Sequence, residues 1–343
     1  MNRINVFFIG LLFATTMFSS CKKGDDISVK DVYVVGYVHN EQDISVATLW
    51  KNGVAQNLTN GTNSASASSV FVSDNDVYVV GGSVNPQGVR VATLWKNGVV
   101  QYLSDEMSYA TSVFVRGIDV YVVGERTVLE PLCHYATIWK NGVVQDLTDG
   151  TTFAQATSVY ISGFDVYVAG FESNVGFYNG PSNAILWKNG IRHNLSNNST
   201  GNHNSVFVSN NDVYVAGVDQ GQTFATLWKN GVAQKLSNGN NNAWGCSVFI
   251  SGNDVYVAGT EGNAQKIPIA RLWKNGVVQS LPIKTETYSY ASSVYISGND
   301  VFVAGSVSER NGNRYFATLW KNGIAQNLTD GTNWASASSV FVK

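Results

Sequence analysis

Charge is in short supply in this sequence of 343 residues. The 22 Lys and Arg and 24 Asp and Glu are scattered, so the basic patch of a nucleic-acid binder is missing. Histidine is scarcer: His39, His134, His193 and His203 stand in different parts of the chain, without metal-ligand spacing. There is no His-Glu-x-x-His motif and no Gly-x-Ser-x-Gly elbow. Neither metal nor cofactor is expected, and no catalytic residue can be named. Of three cysteines, only Cys133 and Cys246 lie beyond the N-terminal region, one pair at most and no disulfide framework. Past the first twenty residues, no stretch has the 3.6-residue apolar period of an amphipathic helix. What the chain does hold is Gly, Ser, Asn, Thr, Val and aromatics, which suit short strands and tight turns.

The N-terminal stretch has the order of a secretory signal. Arg3 precedes a largely apolar run from Ile4 to Phe13, too short to span a membrane, and small Ser19 and Ser20 follow before Cys21. Phe18-Ser19-Ser20-Cys21 resembles a bacterial lipobox, with Phe18 where Leu is usual. That resemblance implies a signal peptide over 1–20, lipidation of Cys21 and a tether over 21–28. Lys22, Lys23, Gly24, Asp25 and Asp26 resemble the surface-export signal of Bacteroidetes lipoproteins. The expected location is therefore the bacterial outer membrane, facing the cell exterior, with membrane contact through the lipid anchor alone.

Internal repetition dominates the remainder. Leu-Trp-Lys-Asn-Gly or a close variant recurs seven times, at Trp50, Trp95, Trp139, Trp187, Trp228, Trp273 and Trp320. Asp-Val-Tyr/Phe-Val-Val/Ala-Gly also recurs seven times, from Asp31 to Asp300, as does Ser-Val-Phe/Tyr-Val/Ile, from Ser69 to Ser339. In one repeat, Ser247–Ile250, Val255–Ala258, Ala270–Lys274 and Val277–Leu281 read as four strands. Asn275-Gly276 between the last two is a type I′ hairpin signal. Four antiparallel strands per 40 to 50 residues is the pattern of a propeller blade, and strands apolar on both faces suit a sheet sandwiched between two others. The chain beyond the tether opens with a second strand at Asp31 and closes with a first strand at Ser339–Val342. The expectation for 29–343 is thus an all-β, seven-bladed β-propeller, its ring closed by the C-terminal strand completing the N-terminal blade. The layout resembles bacterial propellers of the NHL type, in which the first strand lines the channel. The Trp-Lys-Asn-Gly phrase resembles repeats of uncharacterised Bacteroidetes lipoproteins and implies no particular activity.

Positions that recur in every blade serve the scaffold, and those that differ are free for function. The seven tryptophans read as inter-blade packing, and the repeated Asp as a turn residue, not a metal ligand. Loops such as Thr148–Thr151 lack the spaced carboxylates of a calcium site. The turns between strands one and two and between strands three and four are uniform, while the opposite face is variable. There Tyr109, Phe153, Trp244, Tyr288, Tyr290, Trp334, Phe177 and Tyr178 stand among Asn, Ser and Gln, and are the candidate ligand-binding residues. The competing explanation is that they fill gaps between blades. The functional expectation is a surface module with no chemistry of its own. Its partner would be a glycan first and an extracellular protein second. A polysaccharide lyase or hydrolase at the channel mouth is the enzymatic alternative.

Overall fold

The computed structural model describes residues 30–130, 132–173, 182–196, 204–219, 224–279, 281–282, 287–309 and 314–343. Residues 1–29, with the signal peptide, Cys21 and the tether, lie outside the described residues. The compact unit is Asp31–Lys343. Its described residues form twenty-eight strands, β1 to β28 in chain order, in seven separate four-stranded antiparallel sheets. The protein is a seven-bladed β-propeller.

Blade one contains β28 (Ala335–Val342), β1 (Val32–His39), β2 (Ser45–Lys51) and β3 (Val54–Asn57), in that order. Blade two begins with β4 (Ser66–Ser73) and β5 (Asp76–Val84), and the other blades follow in chain order. The C-terminal strand thus completes the first blade, with Tyr33 opposite Phe341 and Val34 opposite Val340. The first two strands of the 247–281 repeat run longer than the sequence predicts, Ala243–Ser251 and Asp254–Gly262, and the fourth is described over Val277–Gln279.

Each repeated phrase has a physical task. In Ser-Val-Phe/Tyr-Val/Ile, on the inner strand, the Ser hydroxyl accepts a hydrogen bond from the Val N–H of the next blade. Ser69 accepts from Val113 at 3.3 Å, Ser112 from Val159 at 3.2 Å, and Ser339 from Val70 at 3.4 Å, so the series closes on itself. The aromatic two residues after each Ser faces the axis. Phe71, Phe114, Tyr160, Phe207, Phe249, Tyr295 and Phe341 touch in sequence, centroids 4.6 to 5.0 Å apart, and the last meets the first. The axis therefore passes through a waist walled by aromatic rings.

In Trp-Lys-Asn-Gly, the Trp is buried between blades. Trp95 of blade two packs with Val35, Ala47 and Leu49 of blade one, and Trp50 with Ala304 and Leu319 of blade seven. Six of the indole N–H groups, such as that of Trp50, are buried without an acceptor. Each costs about 1–3 kcal/mol. Burying an aromatic of about 150–250 Å² at about 25 cal/mol per Å² contributes about 4–6 kcal/mol, so packing wins. Asn52 and Gly53 take φ of 52° and 82°, as a type I′ turn requires. Asn52 also accepts from the Val32 N–H and donates to Asp31, which pairs with Lys51 at 2.7 Å. Lys51 and Asn52 hold the Asp31 carboxyl below the usual carboxylate range. This clamp repeats in all seven blades and occupies the uniform face, as the sequence predicts.

The conserved-looking Gly of the second strand answers to a bulge. In six blades the inner strand carries an extra residue: Ser68, Thr111, Thr157, Cys246, Ser292 or Ser338. The bulge aims a carbonyl at the facing glycine, so a Cβ on Gly305 would collide with the Tyr290 carbonyl. Cys246 and Cys133 are free thiols, and burial pushes the Cys246 thiol up to about 12.

Removing residues 339–343 deletes the C-terminal half of the inner strand of blade one, with buried Val340 and Val342. At about 1.5–3 kcal/mol for each buried side chain, the loss is several kcal/mol, read as a lower unfolding midpoint in denaturant. A truncated protein with the full-length midpoint would refute ring closure as a source of stability. Gly305→Ala is expected to cost about 3 kcal/mol or more by forcing β-bulge backbone apart, measured the same way. Gly88→Ala is the control for the general cost of replacing a glycine, because nothing lies within 4 Å of a Cβ there, although its φ of 82° carries its own strain.

Candidate functional site

The variable face is built on one position of the inner strand, the residue whose carbonyl meets the bulge glycine. It is Ser66, Tyr109, Gln155, Trp244, Tyr290 and Ser336 in blades two, three, four, six, seven and one. The scaffold fixes the backbone there and leaves the side chain unconstrained. Tyr109 reaches back to blade two, where its hydroxyl meets those of Ser66 at 2.9 Å and Ser68 at 2.7 Å. The Arg90 guanidinium lies 5.3 Å from the Tyr109 ring centroid.

On the other side, aromatics of three blades form a continuous shelf. Trp244 stacks on Tyr290 at 6.5 Å, Tyr290 meets Tyr315 at 5.9 Å, and Tyr315 meets Trp334 at 4.9 Å. Trp334 is 41% exposed. Burial, then Tyr315, pushes the Tyr290 phenol up to about 12. Burial also raises Tyr37, with smaller contributions from Tyr109 and Tyr315, so phenols from both sides converge near it. Tyr315 was not among the residues predicted from sequence, because it sits beside Phe316 at the start of an ordinary third strand.

The other predicted residues divide. Phe153 is 5% exposed and packs on His134 and Phe171, so it fills a gap inside the sheet stack. Burial lowers the His134 pKa. Tyr288 is half-buried on the inner strand opposite Ser308. Phe177 and Tyr178 lie outside the described residues. Among the described residues no group of three or more His, Cys, Asp or Glu is placed to hold a metal.

The site that sequence reasoning missed is the hairpin between β1 and β2. His39 and Ser45 are opposite each other in the ladder. Ser45 Oγ lies 2.9 Å from His39 Nε2, and Asp43 Oδ1 lies 2.7 Å from His39 Nδ1. The loop holds them there by its own chemistry. Asn40 Oδ1 accepts from the N–H groups of Gln42 and Ile44, both at 3.0 Å, and its amide donates to the Gly61 carbonyl. The Asn40 N–H bonds to the Ile44 carbonyl, and Asp43 takes a positive φ of 61°. His39 is 23% exposed at its side chain and Asp43 85%. Tyr37 lies beside the imidazole at 5.6 Å. Such an array can take a proton from a serine hydroxyl at Nε2 while a carboxylate orients the ring through Nδ1–H. The signal was present as His39-x-x-x-Asp43-x-Ser45, but it has meaning only once the ladder register is known.

No protein-family model matches the chain, and no curated protein matches its sequence. Solved structures match its fold. The structure of a Mycobacterium tuberculosis puromycin-hydrolyzing peptidase superposes with a TM-score of 0.58 at 12% identity, over 87% of this chain and 51% of that one. That of a puromycin hydrolase gives 0.58 at 11% identity, over 88% and 52%. The chain spans about half the length of these structures, and at such identities the likeness shows the fold. The expected surface module without chemistry, binding a glycan or a protein, needs correction, and so does its polysaccharide alternative. Two of the solved proteins that share the fold are a puromycin-hydrolyzing peptidase and a puromycin hydrolase, and the β1–β2 hairpin holds a Ser-His-Asp array.

The raised Tyr290 phenol has a consequence at high pH. Its neutral form is favoured in the folded protein, so stability is intact below the unfolded tyrosine pKa of about 10 and falls as pH rises from there toward 12. Absorbance titration of the folded protein should show a tyrosinate component near pH 12 that Tyr290→Phe removes. A component near 10 lost in that variant would contradict the burial of the phenol.

Proposed function

We propose that this propeller hydrolyses acyl bonds of peptide type, with Ser45 as nucleophile, His39 as general base and Asp43 as the orienting carboxylate. The observation that carries this reading is the hydrogen-bonded series Ser45 Oγ, His39 Nε2, His39 Nδ1, Asp43 Oδ1 at 2.9 and 2.7 Å. The peptidase and hydrolase structures of the same fold support the substrate class. Ser45 Oγ attacks the carbonyl carbon while its proton passes to His39 Nε2. Nε2 then gives that proton to the leaving amine, and an acyl-serine remains. Water, deprotonated by the same nitrogen, adds to the ester carbonyl; the bond to Ser45 Oγ breaks, Nε2 returns the proton to that oxygen, and the carboxylic acid leaves.

The exposure of Asp43 sets the scale of its role. A carboxylate in water stabilises an imidazolium far less than a buried one, because the high dielectric screens the pair. Its contribution here is chiefly to fix the ring and its tautomer.

Lipidation of Cys21, placing the propeller on the outer face of the bacterial outer membrane, belongs to the same proposal. The sequence over 18–26 supports it. A hydrolase held there would meet extracellular peptides, entering from the variable face.

A fluorophosphonate reagent should label the wild-type protein at Ser45, and hydrolysis of aminoacyl p-nitroanilides should follow. Ser45→Ala should lower kcat/KM at least 100-fold and abolish labelling, and Asp43→Asn should cost about tenfold. An unlabelled Ser45, or full turnover in Ser45→Ala, would remove the proposal.

A further inference from the structure

The hairpin and the aromatic shelf are joined through the backbone. The His39 N–H donates to the Trp334 carbonyl at 2.8 Å, and the Ala335 N–H to the Tyr315 carbonyl at 2.9 Å. The end of the shelf is therefore locked beside the strand that carries His39, whose other neighbour carries Ser45. Adjacent strands lie about 4.8 Å apart, which puts the Trp334 backbone roughly 10 Å from that of Ser45. An aromatic side chain on the substrate residue that supplies the acyl group can reach across that separation to the Trp334 indole.

We infer that Trp334, with Tyr315 and Tyr290 behind it, is the subsite for a flat, uncharged aromatic side chain on the acyl side of the bond cleaved at Ser45. This inference rests on the hydrolytic reading of Ser45 and names its substrate class. Three observations converge on it. Trp334, 41% exposed, immediately precedes β28 and is bonded to the hairpin through the His39 N–H. Trp334 meets Tyr315 at an interplanar angle of 47° and Tyr315 meets Tyr290 at 55°, so a further ring can add edge to face to the series. The shelf itself carries no formal charge, since its four members are two indoles and two phenols, with Tyr290 neutral throughout the physiological range. An aromatic partner gains there what an alanyl partner cannot. The difference is about tenfold or more in kcat/KM, as hydrophobic pockets of this kind discriminate.

The experiment compares N-acetyl-phenylalanine p-nitroanilide with N-acetyl-alanine p-nitroanilide on wild type, Trp334→Ala, Trp334→Phe and Ser45→Ala. Wild type should prefer the phenylalanyl substrate at least tenfold. Trp334→Ala should erase that preference by raising KM for the phenylalanyl substrate alone, and Trp334→Phe should keep most of it. Equal rates on the two substrates in wild type, or a preference that survives Trp334→Ala, would overturn the subsite while leaving Ser45-dependent hydrolysis standing. Turnover that survives Ser45→Ala would instead sink the hydrolytic reading. The shelf is also tested by binding alone: N-acetyl-phenylalanine amide should quench the indole fluorescence of the Ser45→Ala protein. That quenching should disappear when Trp334→Ala is added, and its persistence would overturn the subsite.

Discussion

The structure depends on one hydrogen bond used seven times: a serine hydroxyl on the inner strand of a blade accepting from the backbone N–H of a valine in the next. A buried N–H without a partner costs about as much as a lost hydrogen bond. The inner strand of each blade bonds on one side only within its own sheet, so its other edge needs an acceptor. The neighbouring serine supplies it, and because the seventh serine serves the first valine, no inner edge is left over. The same serine fixes the angle between consecutive blades. That angle lets seven aromatics meet at a tilt around the axis and seven tryptophans fill the wedges farther out. Closure by β28 completes this circuit of bonds as well as the sheet.

A scaffold that repeats this closely constrains one face and releases the other. On the uniform face, Asp, Lys, Asn and Gly are tied to one another by the hairpin geometry. Exposed ion pairs of this kind contribute little each, and their value is in holding the type I′ turn. On the opposite face the β-bulge consumes a glycine but places no demand on the residue whose carbonyl it presents. Ser66, Tyr109, Gln155, Trp244 and Tyr290 share one backbone environment and differ completely in side chain. The departures from repetition mark where the backbone of the fold leaves the side chain free to vary.

Most of the fold was legible because its devices are local and recur. Asn-Gly announces a hairpin, alternating Val and Tyr a strand, and the unmatched phrases at the two ends a ring. The role of Ser69 and its equivalents was visible as a pattern but not as a bond, since its partner lies 44 residues away in the case of Val113. Of the aromatics, Trp244, Tyr290 and Trp334 were found as departures from the repeat and do converge. Phe153 departed equally and is packing, because a phenylalanine at that place turns toward its own sheet stack. Ser45, His39 and Asp43 were illegible for a different reason. Each is an unremarkable residue at or inside a variable hairpin, and their relation exists only in the register that sets His39 opposite Ser45. Sequence motifs for serine hydrolysis describe an elbow between a strand and a helix, and this chain has no helix among its described residues to make one.

A hairpin is a precise support for such chemistry. Ladder pairing fixes the separation of residues opposite each other to within tenths of an ångström, which is the tolerance a proton transfer from serine to imidazole demands. The five-residue loop adds the third group without enlarging the site, because Asn40 closes it from within and ties it to the Gly61 carbonyl. What the hairpin cannot supply is burial: Asp43 stays in water, so its field on the imidazole is screened. In the proposed hydrolysis, rate acceleration would come mainly from positioning the substrate against Ser45, and rigid aromatic surface is an effective way to do that. The shelf that ends at Trp334 is held by the same strand that holds His39. In the proposed mechanism substrate grip and proton transfer would share one piece of backbone, and loosening the bond between His39 and Trp334 would degrade both at once.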